Sequence, residues 1–270
     1  YSFTTFAGMA ENRGSEDGTI NVTVRFNTPV GVAVDGSGNV FVADSGNHTI
    51  RKISPSRVVT TLAGTPGSSG SADGTGGAAR FNFPLRVAVD GSGNLFVADS
   101  NNNTIRKISA SGVVTTLAGS VGQIGGSNGT GSDARFYSPS GVAVDGIGNI
   151  FVADFYNNTI RKITASGLVT TVAGSPGERG SADGTGAAAL FRGPSGPAVD
   201  GSGNVFVAEA DNHTIRKITA SGVVTTLAGM AGNPGSEDGT VNVSARFSLP
   251  SGVAADGSGN VFVADTGNHT

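Results

Sequence analysis

The chain has 270 residues, of which 44 are glycine and none is cysteine or tryptophan. Only 14% of the residues are charged and the formal net charge is −3, so the composition shows no basic footprint for nucleic acid. No apolar run approaches the roughly 18 residues of a membrane span, and without cysteine there is no disulfide framework to indicate a compartment.

A five-residue string recurs at a nearly constant interval through the chain. Successive copies start 55 or 56 residues apart, and this period predicts a repeat architecture. Residues present in every copy are expected to belong to the scaffold, and a specific site is expected where one copy departs from the others. The string Asp-Gly-Ser-Gly-Asn starts at Asp35, Asp90, Asp200 and Asp256, and a variant with isoleucine starts at Asp145.

The first complete copy predicts four short strands joined by turns. The first two are apolar on both faces and are separated by the Asp35 hairpin signal. The third strand carries Arg51 and Lys52 and is expected to be partly wet, that is, partly exposed to solvent. The fourth strand is rich in β-branched residues. The four strands are predicted at residues 32–34, 40–43, 49–53 and 58–63.

This polarity gradient predicts a blade of a β-propeller. A sheet stacked face to face between two like sheets, with its first strand innermost, is apolar on both faces at its inner strands. The predicted fold class is therefore all-β, with four-stranded antiparallel blades, five by repeat count, or six if the chain continues beyond Thr270. Residues 1–270 are predicted to form one domain in which an N-terminal strand at 2–8 completes the last blade, 251–270.

A glycine-rich connection of roughly 20 residues, long for a loop, separates successive blades. It repeats Gly-Ser-x-Asp-Gly-Thr followed by Ala-Arg-Phe and a proline, so we expect it to be ordered. Its alanine-rich piece predicts a single helical turn, and its phenylalanine is expected to fill an apolar gap between adjacent blades. These phenylalanines are Phe26, Phe81, Phe136, Phe191 and Phe247.

The turn between the second and third strands carries the most specific motif. It reads Asn-His-Thr from Asn47, Asn212 and Asn268, after Val-Phe-Val-Ala and an acid, and the copies open with Pro-x-Gly-Val-Ala or a close variant. This pattern resembles the NHL repeat over essentially the whole chain. The resemblance implies a propeller, usually of six blades, that binds protein, RNA or carbohydrate; a minority of related propellers are enzymes. Asn103 and Asn158 depart from the pattern, and the long connections resemble those of bacterial and algal extracellular members.

The repeated polar residues favour structural roles. His48, His213 and His269 occupy equivalent positions on separate blades, so we expect local hydrogen bonds rather than convergence on a metal. No catalytic residue, metal site or cofactor is predicted, with calcium at the acids of the connections as a minor alternative. A second set of acids is expected to cap the backbone of the turn that follows it. These acids are Asp44, Asp99, Asp154, Glu209 and Asp265.

The connections also repeat an arginine. We expect it to pair with a neighbouring loop acid, and the alternative is a ring of arginines that binds an anionic ligand. The repeated arginines are Arg25, Arg80, Arg135 and Arg246.

The departures between copies are the candidate binding residues. Tyr137, Phe155 and Tyr156 are predicted on the face that bears the long connections. Exposed aromatic residues are enriched in interfaces and also stack on sugars, and the alternative is packing onto the neighbouring connection. Arg192 departs in the next copy, and Arg86 departs on an innermost strand, where it is placed near the mouth of the channel.

The sequence thus predicts an extracellular or surface scaffold that binds protein or carbohydrate through the face bearing the connections, and it favours a non-enzymatic role. Two alternatives stay open. One is a metal-dependent propeller lyase or hydrolase, and the other is a subunit of a filament or surface assembly that self-associates through the incomplete last blade. In a secreted eukaryotic protein, Asn21, Asn128 and Asn242 are predicted glycan acceptors.

Overall fold

The computed structural model describes residues 4–20, 23–240, 244–256 and 258–270. Within these ranges the chain is all-β, as predicted, with short 3-10 helices as its only helical segments. It divides into two compact units, Tyr1–Leu117 and Ala118–Thr270. No helix in the described ranges has the length and hydropathy to cross a membrane.

The first unit contains two antiparallel five-stranded sheets, blades 1 and 2, apart from Ala118 and Gly119 at the end of blade 2. Each is a meander of four strands, to which the connection adds a further strand at the outer edge. Blade 1 is ordered β1-β5-β4-β3-β2, and its strands are β1 (Gly18–Thr19), β2 (Pro29–Val34), β3 (Val40–Asp44), β4 (Thr49–Ile53) and β5 (Val58–Ala63). Blade 2 is ordered β6-β10-β9-β8-β7, and its strands are β6 (Gly74–Thr75), β7 (Pro84–Val89), β8 (Leu95–Asp99), β9 (Thr104–Ile108) and β10 (Val113–Gly119).

The second unit repeats this design in blades 3 and 4 and ends with a two-stranded sheet, blade 5. Blade 3 contains β11 (Gly129–Thr130), β12 (Pro139–Val144), β13 (Ile150–Asp154), β14 (Thr159–Ile163) and β15 (Leu168–Ala173). Blade 4 contains β16 (Gly184–Thr185), β17 (Pro194–Val199), β18 (Val205–Glu209), β19 (Thr214–Ile218) and β20 (Val223–Gly229). Blade 5 contains β21 (Pro250–Ala255) and β22 (Val261–Asp265).

The four-stranded meander is confirmed, and the connection contributes a fifth strand that the sequence did not predict. In blade 1, Gly18 pairs with Val59 and Thr19 with Val58. A bare fourth strand would expose a row of unpaired backbone groups, and this short strand pairs with them. The predicted helical turn of the connection is also confirmed, as the 3-10 helices Gly76–Ala78, Gly131–Asp133 and Gly186–Ala188.

The hairpin between the first two strands forms around its leading aspartate. Oδ1 of Asp35 accepts the backbone N–H groups of Ser37 and Asn39, each at 2.9 Å, and Oδ2 accepts the Asn39 side-chain amide at 2.7 Å. These hydrogen bonds, the Asn39 side chain first, lower the pKa of Asp35. Gly38 adopts φ 80°, which a glycine reaches without strain.

The core of each unit lies between neighbouring blades, as the polarity gradient predicted. In the first unit, Phe41 and Ile50 of blade 1 pack against Leu95 and Val97 of blade 2, with Phe81 among them. In the second unit, Phe191 holds the same place between blades 3 and 4. Both phenylalanines are fully buried, which confirms the gap-filling role predicted for them.

The sequence predicted that an N-terminal strand completes the last blade, which requires the two ends of the chain to meet. Ser2 and Phe3 lie outside the described residues, and residues 4–8 are not in a strand. The strand predicted at residues 2–8, the single-domain boundary and the number of blades stay predictions.

Candidate functional site

Blades 1 to 4 each bury an arginine in the third strand of the meander. In blade 2 the side chain of Arg106 is 0% exposed, and its Nη1 lies 2.9 Å from Oδ2 of the equally buried Asp99. Its Nη2 lies 2.7 Å from Oδ1 of Asp73 in the connection. The prediction of a partly wet third strand is therefore wrong for its arginine, because two carboxylates replace the water that the guanidinium would otherwise need, whereas the neighbouring Lys107 is only partly buried. The equivalent buried arginines are Arg51, Arg161 and Arg216.

The buried arginine also ties the connection to the blade. Arg106 donates to the carbonyl oxygens of Ala72 and Arg80, and its guanidinium carbon lies 5.2 Å from the centre of the Phe81 ring. A charged donor that binds both a strand and a loop makes that loop part of the rigid structure. The long connections are thus ordered by the blade that they enter.

The arginines of the connections do not pair with loop acids as predicted. Arg80 donates to the carbonyl oxygens of Gly77 and Ala79, and in the described residues the other connection arginines likewise donate to backbone carbonyls. The loop acid Asp73 is already bound by Arg106. The connection strand β6 pairs with β10, the direct neighbour of the strand that carries Arg106.

The acid at the end of the second strand does not cap the following turn. Oδ1 of Asp99 accepts the N–H of Asn82, which lies in the connection, at 2.7 Å, and Oδ2 accepts the side-chain amide of Asn102 at 2.8 Å. The turn is therefore held through a side chain and not through its backbone N–H groups. Burial raises the pKa of Asp99 to about 6, against the lowering effect of these hydrogen bonds and of Arg106. Burial also raises the pKa of Asp154, its counterpart in blade 3, to about 6.

The side chains of His48 and His213 accept hydrogen bonds from the next blade and not locally as predicted. Nδ1 of His48 accepts the N–H of Phe83, 35 residues along the chain, at 3.0 Å. His213 accepts the N–H of Leu249 in the same way at 3.1 Å. In blade 3 the Oδ1 of Asn158 accepts the N–H of Gly193 at 3.2 Å, so an amide oxygen replaces the imidazole nitrogen.

This geometry predicts that the His48→Asn variant keeps the stability of the protein, whereas the His48→Ala variant loses about 0.5–1.5 kcal/mol. Asparagine has the required acceptor and tolerates the left-handed backbone of His48, whose φ is 59°. Midpoints of urea unfolding measure the difference. Equal losses in the two variants would show that the hydrogen bond to Phe83 contributes nothing.

The three predicted aromatic residues lie together on blade 3. The ring centres of Tyr137 and Tyr156 are 4.7 Å apart, and Phe155 meets Tyr156 edge to face at 5.0 Å. Tyr137 is 39% exposed and Tyr156 is 47% exposed. The backbone holds both tyrosines, because Tyr137 donates its N–H to Asp154 at 2.8 Å and Tyr156 donates its N–H to the Tyr137 carbonyl at 3.2 Å. We call these three residues the aromatic cluster.

The two predicted arginines have different surroundings. Arg86 lies on β7, where a Cβ added to Gly31 of the neighbouring blade would come within 2.7 Å of its Cα. Burial lowers the pKa of this arginine. Arg192 has 53% of its side chain exposed, and its Nε lies 3.9 Å from Oδ2 of Asp211, a residue that the sequence analysis did not single out. Asp211 could have been found from the sequence, because it occupies in the fourth copy the position that Tyr156 occupies in the third.

The predicted modification sites are described only in part. Oδ1 of Asn128 accepts hydrogen bonds from Arg161 at 2.9 Å and from Thr171 at 3.2 Å, so this amide replaces the connection acid of the other blades. Asn21 and Asn242 lie outside the described residues. Within the described ranges, no three His, Cys, Asp or Glu side chains are grouped closely enough to hold a metal ion.

The NHL repeat pattern matches four segments of the chain, residues 26–53, 81–108, 136–163 and 247–270. Each segment runs from the phenylalanine of the connection into the third strand or its turn. The protein belongs to the NHL-repeat β-propeller family. The matched residues include the buried acid, the turn asparagine and, where the segment reaches that far, the buried arginine, so the NHL pattern coincides with the cluster that holds each blade to its connection.

Two curated relatives match the NHL chain over nearly its whole length. Protein SUPPRESSOR OF QUENCHING 1, chloroplastic, of Arabidopsis thaliana is 30% identical over 97% of this chain. NHL repeat-containing protein 2 of Bos taurus is 30% identical over 96% of it. The chain spans only 26% and 40% of the length of these two relatives, so it corresponds to one part of each.

Solved structures of the same fold share less sequence with this NHL chain. An auxiliary nutrient binding protein from Bacteroides ovatus superposes with a TM-score of 0.69 at 18% identity, over 92% of this chain and 58% of its own. A chain of a nidogen/laminin complex superposes with a TM-score of 0.62 at 17% identity, over 92% of this chain and 75% of its own. At these identities the similarity shows the fold alone.

Proposed function

We propose that this protein is a non-enzymatic binding module, extracellular or at the cell surface, that works without a metal or organic cofactor. Its ligand is a protein or a carbohydrate, and it binds the aromatic cluster on the face that bears the long connections. The observation that carries this proposal is the cluster itself, two half-exposed tyrosines in contact with each other and a phenylalanine packed edge to face against one of them. Exposed aromatic residues of this kind dominate binding energies in interfaces.

The blade beneath the aromatic cluster supports the proposal because it is rigid. Asp154, which accepts the N–H of Tyr137, is fully buried and also binds Arg161 at 2.8 Å and Asn157 at 2.7 Å. A preorganised surface loses little conformational entropy when a ligand binds. The aromatic cluster is therefore presented in one arrangement, as a recognition surface requires.

Similar proteins also support a binding role. The auxiliary nutrient binding protein of Bacteroides ovatus and the chain of the nidogen/laminin complex use the same fold. The first name indicates a nutrient ligand and the second indicates a protein partner. A propeller scaffold of this kind suits either ligand class, since its specificity lies in exposed side chains and not in the fold.

The proposal predicts that replacing both Phe155 and Tyr156 by alanine weakens ligand binding at least about tenfold, the effect of losing a binding hot spot. A screen of immobilised glycans and proteins identifies a ligand for the native chain, and titration with that ligand compares the variants. The matched control is Asn101→Ala, at the position of blade 2 that corresponds to Tyr156. Unchanged affinity of the double variant would refute the aromatic cluster as the binding site.

A further inference from the structure

Two positions that are exposed or partly exposed face each other in every blade, and their residues vary among the copies. The leading position follows the phenylalanine of the connection, and the turn position is the second residue of the turn after the second strand. We call them the facing pair. The facing pairs of blades 1 to 5 are Asn27 with Gly46, Asn82 with Asn101, Tyr137 with Tyr156, Arg192 with Asp211, and Ser248 with Gly267.

The scaffold uses only the backbone at the leading position. Its N–H donates to the buried acid of the same blade, at 2.7 Å from Asn82 and at 2.8 Å from Arg192, for example. Any side chain except proline satisfies this contact, so the fold leaves the choice of side chain open. Variation at these positions is therefore available for recognition.

The side chains of each larger facing pair are nevertheless matched in chemistry. In blade 2 two amides lie 3.5 Å apart, in blade 3 two tyrosine rings contact each other at 4.7 Å with an interplanar angle of 43°, and in blade 4 a cation and an anion lie 3.9 Å apart. In blade 1 a Cβ on Gly46 would lie 2.7 Å from Cγ of Asn27, so the smallest residue faces a larger one there.

One buried side chain joins the facing pairs of blades 3 and 4. Nδ2 of Asn158 donates to the carbonyl of Tyr156 at 3.3 Å, while its Oδ1 accepts the N–H of Gly193 at 3.2 Å. Gly193 directly follows Arg192 in the chain. The tyrosine pair and the Arg192–Asp211 pair are thus anchored to the same side chain, and we call these four residues the strip.

Gly193 makes room for the carboxylate of this strip. It has φ 61°, and a Cβ added there would lie 2.9 Å from Cγ of Asp211. The other copies carry a larger residue at this position in the same left-handed conformation, which costs them backbone strain. These residues are Thr28, Phe83, Ser138 and Leu249, with φ between 50° and 56°. The fourth copy alone has the glycine, and it alone has a charged facing pair.

Resting on the function proposed above, we propose that the strip formed by Tyr137, Tyr156, Arg192 and Asp211 binds a neutral pyranose glycan. The more exposed ring, that of Tyr156, stacks on the C–H face of one sugar ring, and the ring of Tyr137, tilted by 43° to it, lies beside that sugar. Asp211 accepts hydrogen bonds from hydroxyl groups of the glycan, and Arg192 donates to its oxygens. A few polar groups beside an aromatic wall is the usual composition of a small-ligand site.

The charges of the strip favour a neutral ligand. Arg192 and Asp211 together carry no net charge, so the pair offers neither an acidic nor a basic sugar a net attraction, because either one meets one attractive and one repulsive group. Their side chains are 53% and 44% exposed, and an exposed ion pair of this kind contributes little free energy. Hydroxyl groups of a ligand can therefore hydrogen-bond to Arg192 and Asp211 in place of this ion pair, and the free-energy cost is small.

The test uses the whole chain and a panel of immobilised neutral hexose oligosaccharides beside uronate-containing oligosaccharides. The native chain is expected to bind neutral members. The Asp211→Asn variant is expected to lose about tenfold in affinity for them and to gain binding of uronates, because Arg192 is then uncompensated. Asn82→Ala and Asn101→Ala, the same two positions in blade 2, are expected to change nothing. The unfolding midpoint of each variant checks that it is folded.

The outcomes separate this inference from the function on which it rests. Binding that depends on Tyr156 but selects uronates or a protein, or that ignores Asp211→Asn, overturns the neutral-glycan inference and leaves the binding module in place. Binding that ignores the Phe155 and Tyr156 substitutions overturns both. A shift toward uronates in Asp211→Asn supports the inference specifically, because a merely structural aspartate would change the stability of the protein and not its ligand preference.

Discussion

The Arg106→Met variant is expected to lower the free energy of unfolding by about 3–5 kcal/mol, the usual cost of breaking a buried ion pair on one side. Methionine fills much of the arginine volume, so the loss comes mainly from Asp99, which stays fully buried without its cation. The connection also loses its anchor, because Asp73 and two backbone carbonyls lose a donor. Urea unfolding followed by circular dichroism measures the change.

Two further variants show whether the loss is specific to the charge. Lys107→Met changes the neighbouring residue of the same strand, whose side chain is only partly buried, and is expected to cost little. The double variant Asp99→Asn with Arg106→Met removes both charges and is expected to recover part of the stability. A double variant that is less stable than Arg106→Met alone would contradict the ion-pair account.

The Phe191→Ala variant is expected to lower the free energy of unfolding by about 3–5 kcal/mol, as large-to-small changes in a core do. Phe191 is fully buried between blades 3 and 4, and its ring lies 5.1 Å from the guanidinium carbon of Arg216. Its removal leaves a cavity beside a buried cation, which also loses the attraction of the ring. Urea unfolding again provides the measurement.

The chain contains its own control for this variant. Phe247 occupies the same repeat position before blade 5 but is only partly buried. Phe247→Ala is therefore expected to cost clearly less than Phe191→Ala. Equal costs would mean that burial between two complete blades is not what makes Phe191 stabilising.

The local features of the fold were predictable because their partners are close in the chain. Asp35 and Asn39 form their hairpin within five residues, and both ends of every hydrogen bond are visible in one string. The repeat period and the apolar strands predicted blades in the same way, since a strand that is apolar on both faces requires a cover on each. The place of Phe81 followed from that requirement.

The buried charge cluster was missed because its members are far apart in the chain. Asp73 lies 33 residues before Arg106, and no local pattern distinguishes an arginine that meets two carboxylates from one that meets water. One signal was present in the sequence. The arginine of the third strand and the acid of the second recur together, and such a recurring pair of opposite charges favours a fixed contact over solvated surface.

The facing pairs show the same difference between what the sequence predicts and what requires the tertiary structure. The sequence alone identified the copies, the residues that depart from them and the family, because repetition separates scaffold from variation without any coordinates. Only the tertiary structure showed that the departures are paired, Tyr137 with Tyr156 and Arg192 with Asp211, each across 19 residues. The physical reason is that the buried acid of each blade holds the end of one connection beside a turn. This contact places two separated positions together, and it depends on long-range hydrogen bonds that no stretch of sequence displays.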